Sequence, residues 1–102
     1  LGDVYKRQGH HRALNELPVN YKLGNRSVYG VIDRLIIQEE RILLIDYKTH
    51  PAKNDSELSA LTEAYRPQLE LYSNGVERIW PGLKIKSGLL FTNSARLIWL
   101  DQ

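Results

Sequence analysis

The strongest constraint on the fold is a run of four apolar residues, "ILLI" at positions 42–45, followed at once by Asp46 and Lys48. Side chains of a strand point alternately to its two faces, so this run requires burial on both sides. It therefore predicts a central strand over residues 41–49 in a sheet that is covered. The charged residues at the end of such a strand need an explanation of their own.

The segments before this strand predict two more strands. Residues 28–37 are rich in Ile, Leu and Val and read as the neighbouring strand. Residues 12–21 alternate loosely, with Leu17 and Val19 on one side, and Pro18 favours a sheet edge or a bulge.

The segments after it predict a helical region and a closing hairpin. Asn54 and Glu57 have the spacing of a capping box, which predicts a short helix over 55–65. Pro67 suits the first turn of a main helix that continues to about residue 80. Its core-facing positions, spaced three and four apart, are predicted to be Leu69, Tyr72, Val76 and Ile79. With a final pair of strands, the element order is β-β-β-α-β-β, an α/β fold with a mixed sheet of about five strands.

A hairpin between the second and third strands would bring Asp33 and Asp46 together. If Gln38 lies opposite Arg41, the residue numbers of every directly opposed pair in this antiparallel hairpin add up to 79. The numbers of Asp33 and Asp46 also add up to 79, so these two residues would lie opposite each other. Directly opposed residues have Cβ atoms about 5 Å apart. Lys48, two residues beyond Asp46, points to the same face.

Two ionised carboxylates at this separation repel each other by roughly 3 kcal/mol at an effective dielectric constant of about 20. A shared proton relieves the repulsion, and so does a divalent cation held by oxygen ligands, such as Mg²⁺ or Mn²⁺. An acidic pair beside the ammonium group of Lys48 suits metal-assisted phosphodiester hydrolysis. The competing interpretation is structural, with Asp46 and Lys48 as a simple ion pair at a strand end.

Composition narrows the classes of function. The chain has 102 residues, enough for one domain, and its formal net charge of +2 is compatible with nucleic acid without being diagnostic. Cys is absent, which excludes disulfides, thiolate zinc sites and iron–sulfur clusters within the chain. No apolar run is long enough to span a membrane, so we expect no membrane partner.

The segments "GVIDRL", "LLIDYKT" and "QLELY", in this order and spacing, resemble the PD-(D/E)XK nuclease domain of the RecB and AddA type. The resemblance covers most of the chain. It implies a restriction-endonuclease-like core and a metal-dependent DNA nuclease acting in double-strand break repair and recombination. It further implies a helicase motor domain in the same parent chain and a partner subunit of an AddAB- or RecBCD-type complex. A bacterial cytoplasmic location is the corresponding expectation.

The resemblance also implies roles for individual residues. Asp33 and Asp46 match the metal-binding aspartates, and the main-chain carbonyl of Tyr47 matches a further ligand of Mg²⁺ or Mn²⁺. Lys48 matches the lysine that positions the attacking water and stabilises the phosphate. Two helix residues match the motif that supports this lysine and contacts DNA, and one strand residue matches an auxiliary acidic position: Gln68, Tyr72 and Glu16.

The chain departs from the family pattern at its N-terminal end. Residues 1–8, "LGDVYKRQ", resemble a peptide translated from adaptor sequence, so we treat them as a non-native scar and residues 9–102 as the nuclease domain. The upstream family helix that carries a metal-ligating His is expected to be missing, because His10 and His11 stand too close to Glu16 to occupy it. The alternative function is therefore a non-catalytic nucleic-acid-binding module that keeps the nuclease fold.

Overall fold

The computed structural model describes residues 12–100, which form five strands and one helix. In chain order these elements are β1 (Arg12–Leu23), β2 (Arg26–Ile37), β3 (Arg41–Lys48), α1 (Asp55–Ile79), β4 (Lys84–Phe91) and β5 (Arg96–Trp99). The predicted α/β class and element order are confirmed. The segment of residues 1–8 and the pair His10 and His11 lie outside the described residues.

The strands form one mixed sheet in the order β1-β2-β3-β4-β5. Neighbouring strands are antiparallel except β3 and β4, which are parallel. Parallel neighbours need a crossover connection, and α1 supplies it. The apolar run at positions 42–45 thus lies in the middle strand, as predicted.

The helix packs against one face of the sheet and closes the hydrophobic core there. The fully buried side chains of this core come from four of the strands and from the helix; they include Val19, Ile32, Leu35, Ile42, Leu44, Leu69, Val76, Leu89 and Phe91. Within the described part of the chain, no helix is both long and apolar enough to cross a membrane.

The helix runs without interruption through Pro67, so the predicted division into two helices is wrong. Leu58 before the proline and Leu69 after it are both buried in the same core. Burying two leucines contributes about 1.5–3 kcal/mol each, which offsets the cost of about 3 kcal/mol for an interior proline. Pro67 itself is exposed. Ile79, predicted to face the core, is 48% exposed in the last turn of the helix.

The predicted cap at the start of the helix is confirmed. The amide of Glu57 donates to Asn54 Oδ1 at 2.9 Å. The Glu57 carboxylate accepts a hydrogen bond from the amide of Lys53 at 2.6 Å, one residue earlier than in a standard capping box. Both bonds fix the point at which the chain leaves the loop after β3.

Candidate active site

The strands β2 and β3 bring Asp33 and Asp46 together in the predicted register. Gln38 N donates to Arg41 O at 2.9 Å at the turn, and the paired positions of the ladder follow the same register. The ladder ends one step short of the aspartates. Here the amide of Tyr47 donates to Asp33 Oδ2 at 2.8 Å, so a side chain replaces the main chain of β2 as its acceptor. The main-chain pairing of β2 and β3 therefore ends at this point.

A matched irregularity in β1 and β2 sets the direction of Asp33. In a regular strand, residues that face the core are an even number of positions apart. Across this irregularity they are three positions apart: Leu14 and Leu17 in β1, and Ile32 and Leu35 in β2. Between them, Glu16 and Asp33 face each other but fall outside the ladder, and Glu16 has a φ of 53°. Each strand therefore shifts the phase of its alternation by one residue. Because of this shift, Ile32 stays in the core while Asp33 reaches the end of β3.

Asp46 is a buried carboxyl group, 5% exposed. Its burial, with the contact to the carboxyl group of Asp33, raises the pKa of Asp46 to about 6, although Lys48 acts in the opposite direction. The two acidic side chains thus influence each other, as the register implied. Ionising Asp46 in this buried position beside Asp33 therefore costs electrostatic free energy.

One oxygen of this carboxyl group lacks a normal partner. Lys48 Nζ lies 2.9 Å from Asp46 Oδ2, but the approach is not in hydrogen-bond geometry. Within residues 12–100, this buried oxygen accepts no hydrogen bond. Buried oxygens of native proteins usually have a partner, so an additional cationic ligand fits this position.

The ammonium group of Lys48 is enclosed by three groups. Besides Asp46, Gln68 Oε1 accepts from Lys48 Nζ at 3.4 Å, and the ring centroid of Tyr65 lies 3.9 Å from Nζ. The lysine side chain is 19% exposed. Gln68 was predicted to support this lysine, and its contact is consistent with that role. Tyr65 was not predicted, although positions 65, 68 and 72 share one helical face and that spacing was the available signal.

Tyr72 lies over the backbone of β2. A Cβ atom at Gly30 would overlap the Tyr72 ring, so the glycine is what allows the ring to lie there. Burial raises the pKa of Tyr72, with Asp46 as the next cause, while a hydrogen bond to the backbone of Val31 lowers it. The predicted pair Gln68 and Tyr72 therefore meets the acidic site from the same helix.

The donor set for a cation consists of the Asp33 and Asp46 carboxylates, with the Tyr47 carbonyl as a further candidate. Across residues 12–100, no group of three or more His, Asp or Glu side chains converges on one point. Glu16 is exposed and does not complete such a group. The two carboxylates, one with an unpartnered buried oxygen, fit a hard cation such as Mg²⁺ or Mn²⁺ whose other positions are filled by water or phosphate.

Comparison with known proteins shows similarity to a family of nucleases. The sequence profile of the PD-(D/E)XK nuclease superfamily matches residues 3–98. An ATP-dependent helicase/nuclease subunit from Thermoanaerobacter sp. (strain X514) is 31% identical over 91 residues, which cover 74% of this chain and 7% of the relative. The protein of the same name from Streptococcus sanguinis (strain SK36) is 37% identical over 68 residues, 67% of this chain and 5% of that relative.

A third relative has a different name. "Exonuclease/helicase subunit RexA" from Lactococcus lactis subsp. cremoris (strain MG1363) is 28% identical over 75 residues, 74% of this chain and 6% of the relative. The chain thus spans less than a tenth of the length of these curated relatives.

Proposed function

Since the chain belongs to the PD-(D/E)XK nuclease superfamily, we propose that it hydrolyses phosphodiester bonds of DNA with the help of a divalent cation, Mg²⁺ or Mn²⁺. The single observation that carries this proposal is the contact between the carboxyl groups of Asp33 and Asp46 at the buried end of β3, with Lys48 Nζ 2.9 Å from Asp46 Oδ2. A purely structural ion pair of Asp46 with Lys48 would leave the repulsion between the two carboxylates unrelieved.

Asp33 and Asp46 would hold the cation, together with the carbonyl oxygen of Tyr47. A bound divalent ion supplies a more acidic water and stabilisation for negative charge on the phosphate. The hydrogen bond from the Tyr47 amide to Asp33 Oδ2 keeps the first carboxylate at the end of β3. That bond also leaves the second oxygen of Asp33 for other contacts.

Lys48 supplies the positive charge of this chain at the reacting phosphate. Its ammonium group is oriented by Gln68, and it can donate hydrogen bonds to an attacking water or to a phosphate oxygen. Tyr72 borders the same site with its ring packed over Gly30, and we assign it to contact with the DNA strand. Glu16, exposed at the strand irregularity, would act at most on the approach of the DNA.

The names of the relatives extend the proposal to the parent protein. We infer that this nuclease unit works beside an ATP-dependent helicase motor in one longer chain, with a partner subunit of the AddAB or RecBCD type. The substrate would be bacterial DNA ends during double-strand break repair and recombination. A motor that unwinds DNA would deliver one strand at a time to the acidic site at the end of β3.

Cleavage of labelled linear DNA by the full-length protein tests the proposal. Asp46→Ala and Lys48→Ala are expected to lower the rate of divalent-ion-dependent cleavage at least about a hundredfold, because each removes charge stabilisation of the transition state. Glu70→Gln, at an exposed carboxylate of α1 that is not one of the proposed site residues, is the matched control and should cleave normally. Unchanged cleavage by both Ala variants would reject the proposed site, and cation binding without cleavage would favour the non-catalytic alternative.

A further inference from the structure

We propose that Tyr65 is a positioning residue for Lys48: its ring face holds the ammonium group in the direction required for the reaction. This inference deepens the proposed function and rests on it. The distance of 3.9 Å from Lys48 Nζ to the ring centroid is well within the range of a cation–π interaction. Tyr65 lies one helical turn before Gln68, so one face of α1 contacts the lysine twice.

The need for such a contact follows from the surroundings of the lysine. Asp46 attracts the ammonium group and lies 2.9 Å away, whereas the bond to Gln68 is long, at 3.4 Å. With these two contacts alone, the ammonium group, which already contacts Asp46, would be drawn further toward Asp33. A lysine that settles between Asp33 and Asp46 would neutralise the acidic pair and occupy the place of a cation. The ring of Tyr65 opposes this movement because it attracts the ammonium group from the helix side.

The aromatic face, rather than the hydroxyl group, carries the interaction. Ring quadrupoles attract cations with or without a phenolic oxygen, so phenylalanine should replace tyrosine at this position. A leucine fills much of the same apolar space but has no such face. Tyr65 is half-buried against the core, so its packing must be separated from its effect on Lys48.

The first test measures the position of the lysine without DNA, cation or activity. In a protein labelled with ¹³C at the lysine ε-carbon, the ε-methylene protons of Lys48 should be shifted upfield by the ring current of Tyr65. Tyr65→Phe should keep this shift and Tyr65→Leu should remove it. A Lys48 signal that is the same in wild type and Tyr65→Leu would overturn the inference.

The second test uses DNA cleavage by the full-length protein. Tyr65→Leu should lower kcat about fivefold, a factor that corresponds to about 1 kcal/mol, with little change in KM. Tyr65→Phe should cleave at nearly the wild-type rate. Leu61→Ala, at another half-buried position one turn earlier, controls for lost packing and should lower the melting temperature without lowering kcat.

The two proposals fail in distinguishable ways. If Tyr65→Leu cleaves like the wild type while Lys48→Ala is inactive, the nuclease site stands and the role of Tyr65 is refuted. If Tyr65→Phe is as impaired as Tyr65→Leu, the hydroxyl group matters and the cation–π argument is refuted. If Asp46→Ala and Lys48→Ala both cleave normally, the proposed function is refuted, whatever the spectrum of Lys48 shows.

Discussion

Gly30 illustrates how a single position decides the shape of the site. The strand β2 passes directly under the ring of Tyr72, and this close approach is possible because Gly30 has no side chain. The sequence by itself shows only that β2 carries a glycine at this position. The structure assigns the available space to Tyr72, a residue on the helix, and so couples β2 to α1 at the acidic site.

Gly30→Ala should therefore displace Tyr72 and impair the site. The added methyl group would overlap the ring, and overpacking of this kind costs about 1–3 kcal/mol. We expect a lower melting temperature and slower DNA cleavage. Ser27→Ala, at an exposed position of the same strand, is the control and should change neither quantity.

A double-mutant cycle identifies the cause. Tyr72→Ala removes the ring and makes room for the methyl group, so Gly30→Ala should cost much less stability in the Tyr72→Ala background. Equal destabilisation by Gly30→Ala in both backgrounds would contradict the proposed overlap.

At the scale of elements, the helix is the part that organises the site. Its N-terminal half contacts Lys48 through Tyr65, and its C-terminal half is fixed to the β1–β2 hairpin by the hydrogen bond from Tyr21 to Leu71 O at 2.6 Å. Gly75 packs closely against Val19 and Tyr21. A helix held in both of its halves keeps its site-facing residues at a fixed position relative to β3.

Asn54→Ala tests how much the start of the helix contributes. The substitution removes the acceptor for the amide of Glu57 and should lower the free energy of unfolding by about 1 kcal/mol. Urea unfolding monitored by circular dichroism measures the change. Asn74→Ala, at an exposed interior position of the same helix, should be neutral or slightly stabilising. Equal effects of the two substitutions would show that the cap does not stabilise the helix.

At the scale of the whole molecule, the stability of the fold depends on the charge of Asp46. Its pKa is about 6 in the folded chain and about 3.8 as an ordinary carboxyl group, so the folded state binds the proton more tightly. In the absence of divalent cations, the free energy of unfolding should therefore fall as the pH rises from about 4 to about 6. The decrease attributable to this group is at most about 3 kcal/mol.

Asp46→Asn should remove this part of the pH dependence and make the cation-free protein more stable at pH 7, because a neutral amide replaces a buried charge. Urea unfolding with EDTA across pH 4–7.5 measures both effects, with Glu70→Gln as the control. Added Mg²⁺ should stabilise the wild type and not Asp46→Asn, since a ligand of the folded state shifts the equilibrium toward it. Identical pH curves for wild type and Asp46→Asn would contradict the assigned pKa.

Much of the fold was predictable because it depends on local periodicity. The apolar run at positions 42–45 placed β3 in the centre, and a tight turn with Gln38 opposite Arg41 gave the register that brings Asp33 and Asp46 together. The helix cap at Asn54 was predictable for the same reason, since its donor and acceptor are three residues apart. The residue types and spacing that resemble the nuclease family are likewise a property of the sequence.

The remaining features arise from contacts between distant segments. The helix continues through Pro67 because residues before and after the proline are buried in the same core. The local sequence does not reveal that this burial offsets the free-energy cost of the proline. The matched irregularity at Glu16 and Asp33 requires two strands to shift phase at the same step, which neither strand encodes alone. The unpartnered oxygen of Asp46 and the ring of Tyr65 over Lys48 likewise depend on how a helix and a sheet meet. The sequence thus determined which groups are present and which face they share, whereas tertiary packing decided their distances, burial and charge.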